Sequence, residues 1–381
     1  MADDVEQPPA PTPRRYLELP LLLRAPGIAS DGKKLILAAI GLLALAAGWS
    51  ALARAFGVPD PTAGHRPGSV LGLLTAGSPD ALLDAGLRMT EPARAIVAPF
   101  AALFSRGTGL RGWFASAAMA LWAVAVWGIF GGAIARIAVV QAAGGGRVGI
   151  GSAARFALRK AGPLIGAPLT PMLAVAIFAA FCAGFGLLYR IPRGVGQAIA
   201  AALWFLPLLA GLMMALILLG LAAGWPLMHA TVAAEGEDAP DALSRSYSYV
   251  NQRLARYAAH VAAAWAIGTA GLVLAILFAR AVLHLADWGV SLGAPDPAPT
   301  PDSVGTIPRG WSVLVGWLVH GWIYSYFWTA ASIIYLILRR DVDGTDWHDV
   351  YLPEQDADPF ADGPGADLPD ARPRAADAEP G

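Results

Sequence analysis

A single cysteine, Cys182, stands in a chain of 381 residues, so an intrachain disulfide and a thiolate metal cluster are both excluded and the redox compartment stays unread. Its place inside an apolar run marks it as a buried, inert thiol. Charge is scarce as well: 14% of residues are charged, against ~25% in an ordinary globular domain. The formal net charge of −1 comes without the concentrated basic face that a nucleic-acid partner requires. The six histidines are scattered, with no pair at metal-ligand spacing. No G-x-x-x-x-G-K-[ST], H-E-x-x-H or G-x-S-x-G signature occurs. GIGSAA (149–154) has the form G-x-G-x-x-A. It follows an apolar run and a glycine-rich loop instead of a strand, so the dinucleotide reading fails on context. These absences predict a protein that is not an enzyme, with no catalytic residue, cofactor or metal.

What is abundant is apolar. Hydrophobic residues make up 56% of the chain, and the mean hydropathy is +0.53. A helix needs ~20 apolar residues to cross the hydrocarbon core. Six runs reach that length without an acidic residue, near 35–56, 113–140, 164–189, 198–221, 257–285 and 311–338. The fold class that follows is all-α: a polytopic transmembrane helical bundle of about six spans over 35–340. Five or seven spans are the neighbouring counts, because the fourth run can continue as a kinked helix past Gly224 and Pro226 toward Ala234. EPARAIVAPFAALFSR (91–106) is apolar on one side and carries Arg94 and Arg106, which suits an interfacial helix.

Residues 1–34 read as a cytosolic lead. The first apolar run lies behind about thirty polar residues and exceeds a signal h-region of ~7–15, so it reads as an uncleaved anchor. Residues 341–381 are acidic and rich in proline and glycine. Such a tail buries too little apolar surface to offset its ordering entropy and is expected to be disordered in the cytosol.

Orientation follows from basic residues in short loops. One side collects Arg14, Arg15, Arg24, Lys33 and Lys34, then Arg147, Arg155, Arg159 and Lys160, then Arg245, Arg253 and Arg256, and finally Arg339 and Arg340. The short loops of the other side hold Arg190, Arg193 and Arg309. Both termini are therefore expected in the cytosol, with the chain multi-pass in the inner (cytoplasmic) membrane.

Two stretches between spans look like amphipathic cytosolic elbow helices. In EGEDAPDALSRSYSYV (235–250), Asp238 can cap a helix opened by Pro240 and Asp241. Leu243, Tyr247, Val250 and Leu254 form an apolar stripe, with Asp241, Arg245, Ser248, Gln252 and Arg256 opposite. Asp241 and Arg245 are also spaced for an i, i+4 pair. In GIGSAARFALRKAGPLIGAPL (149–169), Ile150, Ala154, Ala157 and Leu158 face away from Ser152, Arg155 and Arg159. Arg155, Arg159, Arg245, Arg253 and Arg256 are thus candidate contacts for anionic lipid headgroups.

The segments ATVAAEGEDAPDALSRSYSYV (230–250), ARFALRKAGPLIGAPLTP (154–171) and SIIYLILRRDVDGTDWHDVYL (332–352) together resemble a group of bacterial six-span membrane proteins. These are similar in layout to the membrane domain attached to some glycerophosphodiester phosphodiesterases. The likeness covers most of the chain from the second span on and lies in pattern, not in catalytic motif. It implies a six-helix bundle with cytosolic elbows and carries over no active site.

Ionisable groups inside spans are costly and mark function by default. Arg54, Arg136 and Arg280 lie near enough to span ends to snorkel. His320 lies ~10 residues into the sixth span, the most polar one, with Tyr324 at i+4. It has two readings: a ligand or proton path lined by His320 and Tyr324, or a neutral histidine bonded between helices, which is favoured. Gly128 with Gly132, and Gly220 with Gly224, allow close helix approach within the bundle. The leading function is a non-enzymatic membrane protein that organises the bilayer or assembles with partners, another protein or a second copy. The alternative is a small-solute or lipid transporter, which lacks the midplane carboxylates usual in coupled transport.

Overall fold

The computed structural model describes residues 19–62, 70–71, 81–105, 109–144, 146–192, 194–293 and 306–351. Two compact units are distinguished, 1–350 and 351–381. Only Tyr351 of the second is described, so the expected disorder of 352–381 lies outside the described residues.

Thirteen α-helices and no strand occur among the described residues. Two short ones, α1 (Leu19–Leu22) and α2 (Ala25–Ala29), lead into α3 (Gly32–Phe56), which Asp31 caps through the Lys33 amide. Next come α4 (Ala81–Arg88), α5 (Glu91–Leu103) and the long α6 (Leu110–Ala142). An elbow, α7 (Ile150–Arg159), leads to α8 (Ala161–Gly186). The short α9 (Val195–Ala202) precedes α10 (Phe205–Glu235). A second elbow, α11 (Ala239–Gln252), leads to α12 (Leu254–Ser291), and α13 (Thr306–Asp343) closes the bundle.

Six helices are long and apolar enough to cross a membrane, and their lateral placement differs sharply. In the most apolar stretch of α6 and of α13, 83% and 94% of residues are buried. The corresponding shares are 6% for Ala161–Arg190 and 11% for α10. Helices α6 and α13 therefore form the centre, and the others surround them. The outer faces carry Leu173, Ile177 and Phe181 on α8, Leu208, Leu212, Leu216 and Leu219 on α10, and Leu274 and Phe278 on α12, all exposed. Water would not tolerate so continuous an apolar surface, whereas hydrocarbon is its natural solvent. The chain is a multi-pass membrane protein.

The centre is held by aromatic rings against small residues. Trp127 of α6 stacks on Tyr324 of α13, with centroids 4.6 Å apart. Four residues on, a Cβ at Gly131 would lie 2.5 Å from the Trp328 ring. The pairing of 127 with 324 and of 131 with 328 means the two helices run parallel. Gly128 and Gly132 admit Ile165 and Leu164 of α8, where an added Cβ would meet them at 2.8 and 2.6 Å. Without an apolar driving force between helices, such close packing supplies the association energy.

Several boundaries differ from the sequence expectation. The fourth long helix starts later than 198 and follows the kinked continuation past Gly224 and Pro226 toward Ala234. A break after Ala202 separates α9, and α10 continues through Pro226 to Glu235. Proline is tolerated there because its turn is packed in the bundle, with Trp225, Leu227 and Met228 buried. The lead is not wholly outside the bundle: Leu21, Leu22, Ala25 and Ala29 are buried. Ser325 donates to the Ala29 carbonyl at 2.7 Å, and Trp322 donates to Ser30 Oγ at 3.0 Å. The tail likewise begins later than 341. Asp341 and Asp343 belong to α13, and His348 Nδ1 lies 2.6 Å from the Ala143 carbonyl oxygen. Cys182 is only partly covered, on the lipid-facing α8.

Candidate functional site

Three places gather polar or hollow character: the His320 contact, an ionic layer at the elbow end of the bundle, and a cavity along α10 and α12.

His320 is paired inside the bundle. Its Nε2 lies 2.9 Å from Glu91 Oε2, and Arg88 Nη1 meets the other carboxylate oxygen at 2.6 Å. Helix α5 brings Glu91 there because Pro92, Ile96 and Pro99 form a buried stripe along it, and it packs against α6 and α13. Burial alone would raise the Glu91 carboxyl. The His320 hydrogen bond and charge, then those of Arg88, outweigh burial and hold it at about 2. Tyr324, one turn below His320, is 4% exposed and covered by the Trp127 ring. Two serines of this span are engaged locally as well, whereas Thr329 Oγ1 and Trp328 Nε1 are buried with no hydrogen-bond partner among the described residues. Ser325 is bonded to α2 as described, and Ser332 donates to the Trp328 carbonyl at 2.8 Å. A carboxylate inside the fold was not anticipated, since Glu91 opens a segment that looks interfacial in sequence.

The elbow arginines proposed for lipid phosphates divide into two groups. Arg155 and Arg159 are exposed on α7. The other three meet carboxylates. Arg245 is clamped by Glu235 and by Glu237, the latter at 3.1 Å, instead of by Asp241. Glu235 also receives Arg339 Nε at 3.0 Å and the Tyr335 hydroxyl. Arg253 Nε reaches Asp341 Oδ2 at 2.9 Å, and Arg256 takes the other oxygen of the same carboxylate. Tyr249 donates to Asp343. Burial first, then that hydrogen bond, raises the Tyr249 phenol well above its ordinary value. The ends of α10, α12 and α13 are thereby tied to α11. Charges so paired are worth more at a membrane boundary than on an ordinary surface, because the surroundings screen them less.

Elbow α11 keeps most of its expected inward face, with Val250 buried and Leu243 and Tyr247 packed against the core, and buries further residues beside it. Ala242, Ser246, Tyr249 and Val250 are its buried residues, and Leu254 is 60% exposed. The expected Tyr247 nevertheless faces inward, through a notch in α10. Tyr247 lodges over Gly220, where a Cβ would stand 2.2 Å from its ring, and donates to the Ile217 carbonyl at 3.0 Å. Asp238 occupies the N-cap position without a side-chain cap bond. On α7, Ala153, Phe156 and Ala157 are buried and Leu158 is 61% exposed. Arg136 does not snorkel. It is buried, donates to the Ala233 carbonyl at 2.7 Å, and lies 4.8 Å from the Phe156 ring centroid. Lys34 is equally buried in α3 and donates to Gln141 Oε1 at 2.8 Å. Gln141 in turn donates to Asp31 at 2.6 Å.

A cavity of about 860 Å³ opens between α5, α10, α12 and α13, with Met172 of α8 at its edge. Its walls are almost entirely apolar, and neither His320 nor Tyr324 lines it. Among the described residues no group of three His, Cys, Asp or Glu side chains could hold a metal ion. Comparison with known proteins finds no matching family model, no matching curated protein and no matching solved structure.

Proposed function

We propose that this chain is a non-enzymatic protein of the bacterial inner membrane, with both termini cytosolic, that organises the bilayer or assembles with partners. The observation that carries this reading is the ionic layer. Arg245 and Arg339 meet Glu235, with Glu237 also on Arg245, and Arg253 and Arg256 share Asp341, so the arginines at this end are held by carboxylates in two groups. That end coincides with the side on which the short loops concentrate their arginines, which supports placing it in the cytosol. A preformed charged surface of this kind suits docking, because little side-chain entropy remains to be lost on contact. The resemblance in layout to the membrane domain of some glycerophosphodiester phosphodiesterases supports the same reading.

A solute transporter with a polar path along the sixth span is less well supported, because His320 and Tyr324 are occupied by Glu91 and Trp127. The test compares His320→Ala with His320→Gln. Both variants are expected to lower the melting temperature in detergent and to leave growth and solute flux unchanged between about pH 5 and 8. A pH-dependent change of flux in a normally folded His320→Gln protein would replace this reading with transport.

A further inference from the structure

The geometry points to a binding site for one anionic phospholipid, with an acyl chain in the α10–α12 cavity and its phosphate at Arg253 and Arg256. The volume of about 860 Å³ falls in the ~300–1,000 Å³ range of ligand pockets. Along α10 the lining runs from Ala215 to Leu227, about 18 Å by helical rise. That is close to the depth of one leaflet, half of a ~30 Å core. Trp225, Val261, Trp265, Phe327 and Ile334 supply flat and branched apolar walls. Pro226, inside α10, is part of the same wall.

The lining stripes end at the charged group. Arg253 is the N-cap residue of α12, and its carbonyl accepts from the amide of Tyr257, a lining residue, at 2.8 Å. Asp341 is two turns beyond Ile334, another lining residue, on the same face of α13. Two guanidinium groups share the Asp341 carboxylate, whose side chain is 6% exposed, while the Arg253 and Arg256 side chains are 46% and 23% exposed. Two positive charges against one negative leave an outward-facing excess that complements a phosphodiester. Asp341 holds both arginines in place beforehand. A chain too long for water, anchored by one negative charge, meets both halves of the site. This site adds a ligand to the membrane protein and does not depend on which partner its cytosolic surface serves.

The test uses the full-length protein in detergent, titrated with phosphatidylglycerol, with phosphatidylcholine of the same chains, and with glycerol phosphate lacking chains. Retained lipid is counted by native mass spectrometry, and the melting temperature is followed in parallel. Phosphatidylglycerol is expected to be retained and to raise the melting temperature, and the other two are not. Arg253→Gln leaves Arg256 to hold Asp341 and is expected to weaken retention about fivefold, as loss of one arginine near an anionic group implies. Ala222→Trp, at the exposed mouth of the cavity, is expected to abolish retention while circular dichroism and elution stay unchanged. Equal retention of the two phospholipids, or retention that survives Ala222→Trp, would overturn the site. Stabilisation by glycerol phosphate alone would reduce it to a bare anion site.

Discussion

Replacing Glu91 with glutamine keeps the shape of the side chain and removes the charge that His320 and Arg88 share. The folded carboxyl sits at about 2, below its ordinary 4.5. Its contribution is therefore complete above about pH 4.5 and is lost as the pH falls toward 2. The shift corresponds to roughly 3 kcal/mol. Glu91→Gln is expected to lower stability at neutral pH by an amount of that order and to flatten the acid limb of the denaturation curve. Chemical denaturation in detergent micelles between pH 2 and 7 checks both; an acid limb unchanged in the variant would refute the assignment. This contact was not legible in the sequence. A carboxylate opening an amphipathic segment looks solvated until its partner on a distant helix is placed. His320 and Tyr324 were legible as exceptional residues, because polar groups in a span are costly, but their partners were not. Lys34 and Arg136 show the same limit. Their positions near span ends suggested exposure, and the neighbours that bury them, Gln141 and the Ala233 carbonyl, lie about a hundred residues away.

Elements were more readable than contacts. Acid-free runs of sufficient length locate the six crossing helices, because length and apolarity are properties of the run itself. The elbows were also visible, since Pro240 and the spacing of polar residues are local signals. Which face an elbow turns inward depends on the surface beneath it. Ala242, Ser246 and Tyr249 of α11 are buried beside the expected Val250, Leu254 is exposed, and Tyr247 fits inward through the notch at Gly220. That notch gives a direct test. Gly220→Val is expected to cost about 1–3 kcal/mol by overpacking against Tyr247. Adding Tyr247→Ala should recover part of the loss, a non-additive pair that thermal melting of the single and double variants will resolve. Additive losses would mean that α11 does not seat in α10 in this way. Helices α1, α2, α4 and α5 were the least readable, being too short to announce their docking. Trp265, for example, reaches back to donate to the Gly86 carbonyl of α4 at 2.9 Å.

At the scale of the whole molecule, the expected orientation places both elbows on one side. In a Cys182→Ser background, Arg155→Cys and Ser244→Cys are expected to react with an impermeant maleimide only after the cells are opened. Val195→Cys, which is exposed at the opposite end of α8 and α10, is expected to react in intact cells. The reverse pattern would invert the protein in the membrane and remove the cytosolic assignment of the ionic layer. The centrality of α13 reaches into how the molecule is made. It is the most enclosed of the six helices, the least apolar, and the last in chain order. As the ribosome delivers them, the five earlier helices must wait in the bilayer around an unfilled slot. The newcomer then inserts with their help more than by its own affinity for lipid. Quality control of this six-helix bundle should accordingly be decided late, when α13 arrives.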